Sequence, residues 1–144
     1  MPWLKILHIG AVILWCGSLL YLPLATAAAS GDARRRPAAL GEPQDEILRA
    51  LFIWVATPAA LLAIGSGTLI FVVQGTLGLW LLAKLVLVGL LALGHASFGL
   101  LILRVERGQS ARRAALLVGV LLLPLLLVIA WLVLRKPGLD GALP

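Results

Sequence analysis

The stretch PWLKILHIGAVILWCGSLLYLP, residues 2–23, decides the fold class. It is almost uninterrupted apolar sequence, and it is as long as an α-helix must be to cross the roughly 30 Å hydrocarbon core of a bilayer. Two basic residues stand out in it, Lys5 near the start and His8 one turn later. A helix that only spans a membrane does not need a histidine, so His8 is the first candidate for a functional residue.

The first apolar run extends over about residues 3–29, and three more follow at 47–74, 79–103 and 114–134. Of the 144 residues, 62% are hydrophobic and 12% are charged, whereas soluble domains have about 45–50% and about 25%. A segment in lipid must satisfy its own backbone hydrogen bonds, and a barrel would need alternating polar residues. The sequence therefore predicts an all-α, integral membrane four-helix bundle, formed by one transmembrane domain over residues 1–144.

Most of the positive charge lies at one end of this predicted bundle. Eight of the 12 Lys and Arg residues flank or occupy two polar loops: Arg34, Arg35, Arg36, Arg49, Arg104, Arg107, Arg112 and Arg113. The positive-inside rule makes that side cytoplasmic and places both termini in the periplasm of a bacterial inner membrane. The same rule accounts for the net charge of +6 without nucleic acid, because these arginines do not form a basic helix face or an aromatic platform.

Three residues that can carry positive charge lie away from the ends of the predicted spans, namely His8, Lys84 and His95, and no Asp or Glu lies within a span. Such residues are costly in lipid and usually face the bundle interior with a partner. Counted from the same membrane surface, His8 and Lys84 lie within about one turn (~5 Å) in depth, and His95 lies two to three turns deeper. We expect an outer layer with His8 and Lys84 and an inner layer with His95.

Each of the three also has a purely structural interpretation. Lys84 could extend its ammonium to the membrane interface. His8 could hydrogen-bond a neighbouring carbonyl, and His95 could bond Ser97 or a backbone group across the bundle.

Four features of the sequence resemble the HemJ-type protoporphyrinogen oxidases and the related short CopD-like membrane proteins. They are WLKILHIGAVILWCGSLLYLP at residues 3–23, the pair Thr57–Pro58, GLWLLAKLVLVGLLALGH at residues 78–95, and the late pair Lys136–Pro137. The likeness extends over nearly the whole chain, and the motifs of the first and third spans carry most of it.

This resemblance implies a small helical bundle that carries haem b, with His8 as an iron ligand, Lys84 as a basic residue of the site and His95 as a second candidate ligand. Neutral imidazole is a suitable axial ligand, and facing helices build such sites. Lys84, Lys5 or a loop arginine can balance the propionates, which are costly anions in lipid. The depth offset between His8 and His95 leaves two alternatives: the haem uses another second ligand, or the span boundaries are wrong by about two turns.

Three functions remain open on this evidence. The chain is a haem b protein with a redox or haem-handling role, a protoporphyrinogen IX oxidase with a porphyrin substrate, or a non-catalytic accessory subunit of a larger respiratory membrane complex. The lipid bilayer is the expected partner in every case, with a homo-oligomer as a further alternative. Copper handling is disfavoured, because one Met, one Cys and two His supply few ligands for it.

The topology can be tested with single cysteines introduced between residues 31 and 45, in a chain whose native Cys16 is replaced by alanine. We expect a membrane-impermeant maleimide added from the periplasmic side to leave these positions unmodified, because the arginine-rich loop is cytoplasmic. A cysteine introduced at Pro2 is the control and should react. The reverse pattern would invert the topology.

Overall fold

The computed structural model describes residues 2–33, 43–75 and 78–134. Its helices are α1 Pro2–Ala33, α2 Pro43–Leu51, a π-helical turn Phe52–Ala56, α3 Thr57–Gln74, α4 Leu79–Glu106 and α5 Arg112–Leu134. Because α2, the π-helical turn and α3 are continuous, the described residues form four helices long and apolar enough to cross a membrane. The predicted fold class, an all-α integral membrane bundle of four helices, is confirmed.

The helices differ from the predicted spans mainly at their polar ends. Helix α1 continues to Ala33, beyond the predicted end near residue 29, and the loop between α4 and α5 is reduced to residues 107–111. The arginine cluster at residues 34–36 and the tail from residue 135, which includes Lys136–Pro137, lie outside the described residues. The single domain over residues 1–144 and the orientation of the termini stay predictions.

Helix α1 is the central helix of the bundle. It packs most extensively on α3 and α5 and less on α4, which in turn packs on α5. Four of its buried positions, Ala11, Trp15, Leu19 and Leu22, follow helical spacing. Within the described residues, α3 and α4 have little direct packing on each other. The space between α3 and α4, with α1 behind it, is therefore where the bundle has room for a site.

The π-helical turn ends at Ala56, just before Thr57 and Pro58. Proline has no N–H to donate to the carbonyl four residues earlier, that of Trp54, and its ring crowds that carbonyl. The chain widens instead: the backbone N–H of Thr57 donates to the carbonyl of Phe52, five residues earlier, and the Thr57 hydroxyl donates to the same oxygen at 2.9 Å. Such turns are rare in helices and frequent at functional sites.

Helices α1 and α5 approach each other closely at Gly119. A β-carbon added there would lie 2.7 Å from Cβ and 3.0 Å from Cγ of Pro23. The proline ring is rigid and buried, so it cannot move aside as a flexible side chain could. The contact therefore depends on the missing side chain, as is common where membrane helices pack closely.

Gly119→Ala should destabilise the bundle by about 1–3 kcal/mol, because the new methyl group forces α5 away from α1. Gly89→Ala is the matched control, since an added β-carbon there has no heavy atom within 4 Å. Alanine at that position should keep or raise stability through its higher helix propensity. Unfolding in mixed detergent micelles measures both, and equal effects would show that Gly119 does not limit the α1–α5 contact.

Candidate functional site

A cavity of about 120 Å³ lies near the end of the bundle at which α1 begins. All four spanning helices line it, with His8 and Trp15 from α1, Ala63 from α3, Lys84 from α4 and Ile129 from α5 among its walls. The structure thus brings His8 and Lys84 together around one cavity, in keeping with their matched depths in the sequence. The remaining wall is almost entirely apolar.

Helix α3 holds His8 in one tautomer. The ring Nδ1 lies 3.0 Å from the carbonyl oxygen of Ala63 and 3.1 Å from the hydroxyl oxygen of Ser66. A carbonyl oxygen can only accept, so Nδ1 carries a proton. The Ser66 hydroxyl donates to the carbonyl of Leu62 and therefore also accepts from His8. In neutral His8 the other nitrogen, Nε2, has a lone pair, which is how metal-ligating histidines are usually arranged.

The position of the His8 ring also depends on Gly67. A β-carbon at residue 67 would lie 2.9 Å from Cε1 of His8 and 3.4 Å from its Nδ1. The imidazole thus occupies space that any side chain at residue 67 would need. Gly65 lies on the same helix, yet a β-carbon there would meet no heavy atom within 4 Å.

Lys84 is half-buried on α4 and is the cation among the described residues that line the cavity. Leu87, Val88 and Leu91 line the same cavity from the same helix, at the spacing of one helical face. This face places positive charge beside the imidazole of His8. An anionic group of a ligand that entered the cavity would therefore find its counter-charge at Lys84.

His95 lies in a second polar group, away from the walls of this cavity. The indole Nε1 of Trp15 donates to Nδ1 of His95 at 3.4 Å, and Nε2 of His95 lies 3.2 Å from the hydroxyl oxygen of Thr57. Because the Thr57 hydrogen is donated to the Phe52 carbonyl, Thr57 accepts here and Nε2 carries the proton. The Phe52 ring stacks on the imidazole, with 4.6 Å between centroids and 17° between planes.

Both ring nitrogens of His95 are therefore engaged inside the protein. One of these hydrogen bonds would have to break before His95 could bind a metal, so its role as a second ligand stays a prediction. Among the described residues, no group of three or more His, Cys, Asp and Glu side chains is placed to hold a metal ion.

Comparison of the sequence with known proteins shows which family this chain belongs to. Over 115 residues the chain is 31% identical to the protoporphyrinogen IX oxidase of Helicobacter pylori (strain ATCC 700392 / 26695), and the match covers 78% of this chain and 76% of that protein. The chain belongs to the HemJ-type protoporphyrinogen oxidase family. No family model and no solved structure matches it, and the CopD-like part of the resemblance stays a prediction.

Sequence reasoning alone did not find every residue of the site in this family member. The periodicity of α1 places Trp15 two turns after His8, but it does not reveal the imidazole that accepts from the indole. Thr57 precedes Pro58, and that pair is the one sequence signal of the π-helical turn that positions its hydroxyl. Gly67 cannot be told from Gly65 by pattern, because only the neighbouring helix makes them different.

Proposed function

We propose that this protein is a haem b-containing oxidoreductase of the membrane that oxidises protoporphyrinogen IX. Membership of the HemJ-type family and the likeness to a protoporphyrinogen IX oxidase support the substrate class. The observation that carries the proposal is the hydrogen bond from His8 Nδ1 to the Ala63 carbonyl, because it leaves Nε2 as an available ligand beside an apolar cavity. Such oxidation removes electrons and protons from the methylene bridges and pyrrole nitrogens until the macrocycle is fully conjugated; the electrons would pass on to an oxidant of the membrane outside this chain, and the protons to water.

The donor atoms present fit haem. Haem iron is commonly held by one proximal histidine, and a second-shell carbonyl on the other ring nitrogen raises the basicity of the ligand. His8 has that carbonyl from Ala63, on a neighbouring helix, and the ring is held on a second side by Gly67. When bound, haem would supply an electron acceptor within an environment that excludes water. His8 would bind and orient it, and Lys84 would pair with a propionate.

The volume of the cavity sets a condition on this proposal. About 120 Å³ is less than the roughly 300–1,000 Å³ of ordinary ligand sites, so a tetrapyrrole does not fit in it alone. Leu87 and Leu132 line this cavity and also line a groove of about 490 Å³ on the outer side of α4 and α5. We infer that rotation of these two side chains joins the two spaces, and that the macrocycle reaches the site from the lipid phase.

His8→Ala should remove the Soret band and the reduced α band of the purified protein while leaving membrane insertion intact. Gly67→Ala should lower haem affinity roughly 10-fold, the scale of second-shell changes at metal sites, because the methyl group pushes the imidazole out of position. Gly65→Ala is the matched control and should bind haem like the unaltered chain. Optical spectra and pyridine haemochrome assays measure all three.

The same spectra separate the alternatives. Unchanged haem content in His8→Ala would leave His8 as an interfacial histidine bonded to a carbonyl. A chain that takes up no haem at all would favour the accessory subunit of a larger respiratory complex over the proposed oxidoreductase.

Lys84→Met should lower haem affinity roughly 10-fold, because a charge-assisted hydrogen bond to a propionate is lost in a medium of low dielectric constant. Lys84→Arg should keep most of the affinity, since the charge remains. Lys5→Met is the matched control: Lys5 is exposed and lies outside the cavity wall. Haemin titration of the purified variants gives the comparison, and equal losses for Lys84→Met and Lys5→Met would contradict this role.

A further inference from the structure

We propose that His95 is a positioning residue that holds the indole of Trp15 in place as the inner wall of the ligand cavity. The proposal rests on the proposed function only where it states that this wall contacts a tetrapyrrole. Trp15 is the residue common to both polar groups, because it lines the cavity with His8 and donates to His95. The inner layer would thus act on the outer one through a single indole.

The hydrogen atoms of this group form one directed chain. The Trp15 indole N–H is donated to His95 Nδ1, the His95 Nε2–H to the Thr57 hydroxyl, and the Thr57 hydrogen to the Phe52 carbonyl. Each donor meets one acceptor, and the chain ends at the carbonyl of the π-helical turn. If His95 carried its proton on Nδ1 instead, that N–H would face the indole N–H of Trp15. Both buried donors would then lack an acceptor, which is costly.

The packing around this chain leaves the indole little freedom. Trp15 is only 2% exposed, and a buried indole N–H normally requires an acceptor. The imidazole that provides it is fixed from one side by the stacked Phe52 ring. Gly99 makes room for Phe52, since a β-carbon there would lie 3.1 Å from the ring Cζ. Loss of the acceptor would therefore release Trp15 from its position at the cavity.

The position of Trp15 matters to a ligand of a particular size. His8 and Trp15 are two turns apart on α1, about 10 Å along the helix axis. A bare metal ion or a small anion bound at His8 could not reach the indole, whereas a tetrapyrrole held at His8 Nε2 could. The indole would then contribute aromatic contact to the macrocycle.

A double-mutant cycle on the haem-free protein tests the positioning step. Trp15→Phe removes the N–H and keeps an aromatic ring, and His95→Leu removes the acceptor. Each change should raise the unfolding equilibrium constant in detergent. The effect of both changes together should be about threefold smaller than the product of the single effects, which is the usual coupling for interhelical hydrogen bonds in membrane proteins. Fully additive effects would overturn the proposal.

Nuclear magnetic resonance of the indole groups provides a readout that a general loss of packing would not give. The chain has five tryptophans, and the indole N–H signal missing in Trp15→Phe identifies Trp15. That signal should shift in His95→Leu and in Thr57→Val. Ser97→Ala is the control and should leave it in place, because the Ser97 hydroxyl donates to the Leu93 carbonyl on its own helix. An unshifted signal in His95→Leu would overturn the proposal.

Haem reconstitution then separates a positioning residue from an iron ligand. His95→Leu should lower haem affinity several-fold and shift the Soret band, with the spin state of the iron unchanged. His95→Gln should restore most of the affinity and most of the original Soret position. A change of spin state without rescue by glutamine would make His95 a ligand and overturn the proposal. If the unaltered chain takes up no haem, the proposed function is wrong, and so is the contact between Trp15 and a tetrapyrrole. The double-mutant cycle and the indole N–H signal still decide whether His95 positions Trp15.

Discussion

Polar side chains within the hydrocarbon layer have to find their partners inside the protein, and that constraint shapes the rest of this structure. Hydroxyl groups satisfy it locally by donating to a carbonyl one turn earlier, as Ser18, Ser66, Thr68 and Ser97 do. An imidazole or an indole cannot reach back in this way. His8 therefore bonds α1 to α3, and His95 bonds α4 to α1 and to Thr57 at the start of α3. The polar pairs thus determine which helix faces meet around the cavity.

The same constraint gives the two histidines opposite tautomers. A carbonyl acceptor on α3 places the proton of His8 on Nδ1, whereas an indole donor places that of His95 on Nε2. Among the residues that the structure describes, the hydrogen-bond partners of His8 lie at Nδ1, so Nε2 is left available. Both nitrogens of His95 are used, so its chemistry is structural in this arrangement. Two residues of one type on neighbouring spans are therefore suited to different tasks by their partners alone.

The sequence was sufficient for the spans and for the shared depth of His8 and Lys84, which line one cavity. Length and hydrophobicity determine a spanning helix, and its fixed rise per residue makes relative depth a matter of counting, which is why His8 and Lys84 could be paired. Contacts between helices are not encoded in that way. Three features depend on how the helices pack, which hydropathy does not report: the role of Trp15, the difference between Gly67 and Gly65, and the central place of α1. A proline inside a helix distorts it, as Pro58 does here, but the π-helical turn and its use of Thr57 are apparent only in three dimensions.

Uneven packing connects the fold to the proposed ligand. Helices in lipid lack a hydrophobic drive to associate and are held by close van der Waals contact and hydrogen bonds. The α1–α5 pair has such contact at Gly119, and α1–α3 has it at Gly67, whereas α3 and α4 have little within the described residues. A tetrapyrrole bound as proposed between His8, Lys84 and Trp15 would supply the missing packing partner. Because a ligand that binds only the folded chain stabilises it, the cofactor would then complete the bundle as well as serve its chemistry.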